Sequence, residues 1–148
     1  MENAVFTTLC MVSDIDGNVL VQERIGGKWD GIAFPGGHVE QGESFVKSVI
    51  REVYEETGYT IESPLLCGIK QFQTDEGGRY VILMFKADKF HGKLASSSEG
   101  RAFWIKRDEM QRYNLAHDML EMMELFENDA KSEFYYYKDM DKWKYEIL

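Results

Sequence analysis

The stretch GHVEQGESFVKSVIREVYEETGY, Gly37 to Tyr59, constrains this chain more than any other. Within it Val46, Val49, Ile50 and Val53 recur at i, i+3, i+4 and i+7, the spacing that gathers apolar side chains on one helical face. This predicts a helix over Ser44–Thr57. Glu40 and Glu43 lie near its N-terminus, where negative charge is favoured. Gly58 follows at the position where a left-handed residue ends a helix. On the helical wheel Glu52, Glu55 and Glu56 fall within one arc of roughly 100° beside the apolar stripe. Carboxylates crowded there repel, and Arg51 is the only basic residue between Lys47 and Lys70. Such a patch is either a solvated acidic face or a seat for a hard divalent cation with oxygen ligands. The approach to the helix favours the cation. Gly26, Gly27, Gly31, Pro35, Gly36 and Gly37 punctuate a long loop, and long loops are seldom kept without a task. That loop brings backbone groups to the helix N-terminus. Gly36 or Gly37 also lets a main-chain carbonyl reach the same ion.

The rest of the chain supplies strands. Ala4–Val12 is rich in β-branched and apolar residues and predicts a strand. A turn cluster at Asp14, Asp16, Gly17 and Asn18 follows, then a second strand from Val19 to Arg24. Leu65–Gln73 and Arg79–Ala87 flank Asp75, Glu76, Gly77 and Gly78, which predicts a hairpin. Ala102–Ile105 is a further short strand. Leu115–Phe126 predicts a second amphipathic helix, whose methionines at helical spacing are core rather than a binding groove. The tail from Ser132 to Leu148 carries Phe134, Tyr135, Tyr136, Tyr137, Trp143 and Tyr145 among charges. It is read as packing back on the domain, with a dimer contact as the second reading.

With 148 residues and 44% hydrophobic side chains, the chain fits one folded domain over 1–148 and excludes a disordered one. The net charge of −9 makes long nucleic acid and anionic membrane surfaces poor partners. An acidic protein still binds a small phosphorylated molecule when a metal supplies positive charge. Cys10 and Cys67 sit in apolar stretches, as buried reduced thiols do. Neither a span of roughly 20 apolar residues nor a basic leader is visible, which points to the cytoplasm.

Gly37, Glu43, Arg51, Glu52, Glu55, Glu56 and Gly58 reproduce the Nudix box: glycine, five residues, glutamate, seven residues, Arg-Glu, a bulky apolar residue, any residue, Glu-Glu, any residue, glycine, bulky apolar. Val53 fills the first apolar position. Tyr59 fills the last, where an aliphatic residue is more usual. At average residue frequencies such a match arises by chance about once in 10⁸ start points. The chain therefore resembles the Nudix hydrolases, MutT-like branch. The resemblance implies an α/β fold, an α/β/α sandwich with a mixed β-sheet and the box as loop–helix–loop. It also implies hydrolysis of a nucleoside diphosphate linked to another group, with Mg²⁺ or Mn²⁺.

By that analogy Glu52, Glu55 and Glu56 bind metal with the carbonyl of Gly36, Arg51 orients the glutamates and Glu43 lies just outside them. Glu56 and Glu99 are the alternatives for the general base. Ser98-Glu99-Gly100, shortly before Phe103-Trp104, resembles the late glutamate that joins the metal site in the MutT-like branch; otherwise Glu99 is an exposed loop acid. The proline and tyrosine marks of the ADP-ribose and dinucleoside polyphosphate branches are missing downstream of the box. Elimination leaves a nucleoside triphosphate pyrophosphohydrolase releasing a monophosphate and pyrophosphate, with 8-oxo-dGTP as the leading substrate. Other nucleoside diphosphate derivatives, and a sensor that binds without cleaving, are the alternatives. Arg24 resembles a substrate-contacting arginine or is a surface arginine. Asn114 either reads a purine edge or caps the last helix, with the cap preferred. Gly37 and His38 lie beside the substrate, although a structural role is the stronger reading for His38. Trp29, Phe34 and Phe72 could stack on a base but fit core or loop packing better. Many members of the family are dimers, so a homodimer is expected on that ground alone.

Overall fold

A computed structural model describes residues 1–25 and 30–148. Gly26, Gly27 and Trp29 of the glycine loop lie outside the described residues.

The strand-rich N-terminal segment forms β1, Ala4–Val12. Its side chains alternate between two apolar clusters. Leu9 and Met11 enter one, Cys10 and Val12 the other, the period-2 signature of a strand buried on both faces. After the Asp14–Asn18 turn comes β2, Asn18–Arg24, which divides its residues in the same way: Val19 and Val21 to the first cluster, Leu20 to the second. The expected long loop is not a loop throughout. It holds two short strands, β3 at Gly31–Ala33 and β4 at Gly36–His38, because β3 pairs with β2 and β4 pairs with β1.

Helix α1 spans Phe45–Thr57. Ser44 caps it by accepting from Lys47 N–H, and Gly58 ends it at φ 81°. Val49 and Val53 bury its apolar face against the Cys10 cluster. Strand β5 follows at Tyr59–Glu62, then the expected hairpin of β6, Leu65–Gln73, and β7, Arg79–Ala87. Strand β8, Lys89–Gly92, pairs with β5; neither was legible in the sequence. Strand β9 covers Gly100–Lys106 and runs antiparallel to β2.

Helix α2 spans Met119–Glu127, starting later than expected. Leu115 is not helical: the segment before α2 is extended and pairs with β3, where Ile32 N–H donates to Asn114 O and Ala116 N–H to Ile32 O. Met119, Met122 and Met123 are buried in the Leu9 cluster. The tail forms β10, Glu133–Asp139, and β11, Lys142–Ile147.

The largest sheet runs β11-β10-β6-β7-β1-β4, with β3-β2-β9 as a second sheet and β5-β8 as a third. β1 is parallel to β7 and β10 to β6, and the other pairs are antiparallel. The sheets are therefore a mixed layer with α1 packed on one apolar cluster and α2 on the other. Among the described residues no helix is long and apolar enough to cross a membrane.

Candidate active site

Helix α1 sets its glutamates against β4. Glu52 and Glu56 lie one turn apart, and the chain facing them is Gly36-Gly37. A Cβ at Gly37 would overlap the Glu52 carboxyl, and one at Gly36 would overlap the Thr8 carbonyl oxygen of β1. The glycines are there because the strand is squeezed between helix and sheet. Glu56 is 4% exposed. Its Oε2 accepts the Gly36 N–H at 3.0 Å. From the other side, Arg24 donates to the Gly36 carbonyl at 3.5 Å.

Arg51 organises the outer part of the site. Its Nε and Nη2 donate to Glu43 at 2.7 and 2.9 Å, and its Nη1 to Glu52 and Glu55 at 2.9 and 3.1 Å. Nη2 also reaches His38 O at 3.1 Å. A planar guanidinium suits this forked pairing. One arginine therefore engages Glu43, Glu52 and Glu55 together, more than the sequence spacing indicated. Glu56 lies outside that network.

The electrostatics follow. Hydrogen bonds from Arg51, then from the Glu40 backbone, hold the Glu43 carboxyl down to about 2. Burial pushes the Glu52 carboxyl up against the pull of Arg51, and the charges of Glu55 and Glu99 add to the rise. Glu56 is pushed up to about 8 by burial, opposed by the Gly36 N–H and Arg24 and reinforced by Glu52 and Glu99. Glu99 sits exposed in the turn before β9, yet its charge acts on both Glu52 and Glu56. The three carboxyls thus border one region.

Among the described residues, no three His, Cys, Asp or Glu side chains are gathered tightly enough to hold an ion as they stand. The cause is visible: Glu52 and Glu55 turn to Arg51, and Glu56 turns to Gly36. The donor set still fits a hard divalent cation. It is all oxygen, and burial together with the neighbouring carboxylates raises the proton affinity of Glu52 and Glu56, a penalty that a cation would relieve.

Beside this ridge lies a cleft of about 160 Å³ whose walls include Arg24, Gly37, His38, Lys70, Tyr80 and His117. Met119 and Met122 also line it, so the methionine stripe is core on one side and cleft wall on the other. Asn114 does not cap α2. That position belongs to Asp118, in the left-handed region at φ 65° and without a side-chain cap bond. The extended pairing with β3 replaces the expected helical turn. Asn114 is exposed and is not among the described residues that line the cleft. Phe34 is fully buried and packs edge-on against Phe126. Phe72 stacks on Tyr80 at 5.2 Å.

Sequence reasoning missed the far end of the cleft. Lys70 Nζ pairs with Asp118 Oδ2 at 2.8 Å, with both side chains less than a tenth exposed. His117 Nε2 lies 3.2 Å from Asp118 Oδ1. The available signal was Lys70 itself, a lone charge inside the apolar run LLCGIKQFQ.

Residues 5–126 match the model of the NUDIX domain. The chain is 34% identical over 114 residues to the Nudix hydrolase YvcI of Bacillus subtilis, covering 74% of this chain and 70% of that protein. It is 30% identical over 117 residues to the CTP pyrophosphohydrolase of Escherichia coli, covering 75% and 83%. The 8-oxo-dGDP phosphatase NUDT18 of Homo sapiens is 30% identical over 133 residues, but the chain spans only 39% of its length. Among solved structures, the MutT protein of Bacillus halodurans superposes with a TM-score of 0.75 at 30% identity, covering 97% of this chain and 94% of that one.

Proposed function

The chain belongs to the Nudix hydrolase family, and we propose that it is a divalent-metal-dependent pyrophosphohydrolase that cleaves a nucleoside triphosphate to a monophosphate and pyrophosphate, with 8-oxo-dGTP as the leading substrate. One observation carries this reading: the Glu52–Glu56 ridge, clamped to Gly36, opens beside a cleft that shares Arg24 and Gly37 with it. Related proteins are named for action on CTP, on oxidised purine nucleoside triphosphates, on 8-oxo-dGDP and on ADP-ribose; the first two support the triphosphate reading.

Glu52, Glu55, Glu56, Glu99 and the Gly36 carbonyl are the groups that would hold Mg²⁺ or Mn²⁺. Such an ion neutralises diphosphate oxygens and acidifies bound water. The chain's own residues do the rest. Arg51 ties Glu52 and Glu55 to Glu43 in one hydrogen-bonded network beside the site. Arg24, which donates to the Gly36 carbonyl and lines the cleft, takes a phosphate in this reading. Glu56, whose Oε2 accepts the Gly36 N–H, is the general base of this reading once its own proton has left. It takes the proton of a water whose oxygen bonds to phosphorus, while the bridging oxygen of the anhydride leaves with the other product. Positioning and charge neutralisation dominate such reactions.

The test is a product assay with Mg²⁺ on canonical dNTPs, 8-oxo-dGTP, ADP-ribose and a dinucleoside polyphosphate. Monophosphate plus pyrophosphate, with the highest kcat/KM from 8-oxo-dGTP, is expected. Cleavage mainly of ADP-ribose or the dinucleotide rejects the triphosphate assignment. Glu55→Gln or Glu56→Gln should lower kcat by about 10²–10⁴-fold with the circular dichroism spectrum unchanged; near-normal rates in both would remove the ridge from the chemistry.

A further inference from the structure

The C-terminal hairpin lies outside the residues that match the NUDIX domain, yet it reaches the cleft at two points. β10 joins the sheet through β6, with Phe134 opposite Lys70. This places Tyr136 beside His117: the hydroxyl lies 3.4 Å from Nε2, and the rings meet at 6.2 Å. His117 lines the cleft and contacts Asp118, the partner of Lys70. The Lys70 ammonium sits over the Phe134 ring at 4.8 Å and the Tyr136 ring at 5.4 Å, so the hairpin's aromatics shelter that ion pair.

The second contact runs through Trp143. It stacks on Tyr136 at 4.7 Å with the planes 7° apart. Its edge meets Phe72 at 6.3 Å. Phe72 stacks in turn on Tyr80, another wall of the cleft. The hairpin therefore reaches two residues of the cleft lining: His117 through Tyr136, and Tyr80 through Trp143 and Phe72.

The part of the lining that the hairpin touches differs from the carboxylate ridge in chemistry. It offers an aromatic ring, an imidazole and a buried ion pair, next to methionines. A nucleobase presents a flat face and an edge of donors and acceptors, which such a lining matches. Phosphates belong at the other end, by Arg24 and the glutamates. We infer that the hairpin is part of the substrate site, with Tyr136 as the positioning residue that fixes His117 and Trp143 as its brace, so that the hairpin sets how the base of the nucleotide is held. This inference rests on the pyrophosphohydrolase reading above.

Tyr136→Phe removes the hydroxyl and keeps the stack; Trp143→Leu removes the brace at an exposed position. In Mg²⁺ each should raise KM for the preferred nucleoside triphosphate about three- to tenfold, with a smaller change in kcat. Inorganic tripolyphosphate, which has no base, should inhibit variants and wild type with the same Ki. The ratio of purine to pyrimidine kcat/KM should shift in both variants. Unchanged KM and unchanged base preference in an active enzyme overturn the inference alone. A tripolyphosphate Ki that moves in step with KM also overturns it, since the hairpin would then support the phosphate end or the fold. Wild-type protein inert toward every nucleotide overturns the pyrophosphohydrolase reading, and this inference falls with it.

Discussion

A single carboxyl, that of Glu56, ties the stability of this protein to its chemistry. Buried between α1 and β4, it keeps its proton up to a pH of about 8, whereas an unfolded chain releases it near the ordinary glutamate value. Between about pH 4.5 and 8 the native state holds a proton that the unfolded state does not. Stability therefore falls as pH rises through that window. Glu56→Gln keeps an acceptor for the Gly36 N–H and has no charge to bury. Without metal, the melting temperature of this variant should exceed that of wild type by several degrees at pH 8.5 and match it near pH 4. Thermal melts across that range check it; identical pH slopes would show that Glu56 is not the buried acid. A cation can bind this carboxyl only after the proton leaves, so affinity for Mn²⁺ should weaken as pH drops below about 8.

Among the elements, α1 was almost wholly legible. Its apolar period and its Gly58 stop are local signals, and local signals survive folding; Ser44, expected as the first helical residue, is instead the cap. Its carboxylate face was legible for the same reason, since Glu52, Glu55 and Glu56 share one helix. α2 was misplaced at its start because the Asn114–Ala116 stretch answers to Ile32 in β3, far away in sequence. Lys70, His117 and Asp118 escaped notice on the same grounds: they meet only when β6 comes to lie beside α2. Gly58 shows how one end of an element carries weight beyond its helix. Its φ is 81°, and a Cβ there would overlap the Lys93 carbonyl. Nearby, Ala95 N–H donates to Thr57 O at 2.8 Å. The helix end thus anchors the segment that leads to Glu99. Gly58→Ala should destabilise the protein by more than about 1 kcal/mol. Urea unfolding reads this as a lower midpoint at unchanged slope; an unchanged midpoint would mean that the segment moves aside freely.

At the scale of the whole molecule, the strand pairings join distant parts of the chain. Strand β1 lies beside β7, Ala4 opposite Arg79, and β10 lies beside β6, Glu133 opposite Ile69. No local pattern announces parallel pairing of this kind, so the tail's place in the sheet could not be read from its composition. The feature also has a consequence in time. During synthesis β1 emerges first and must wait, unpaired on that edge, until the chain has reached Ala87. Contacts between distant segments are slow to form because a long loop must close before they repay its entropy. Refolding from denaturant should accordingly take milliseconds to seconds rather than microseconds, as stopped-flow tryptophan fluorescence would show. Helix α1 can form early from its own signals, but Gly36 is held for Glu56 only once β4 has docked on β1. The newborn chain therefore carries its glutamates long before it has a place to use them.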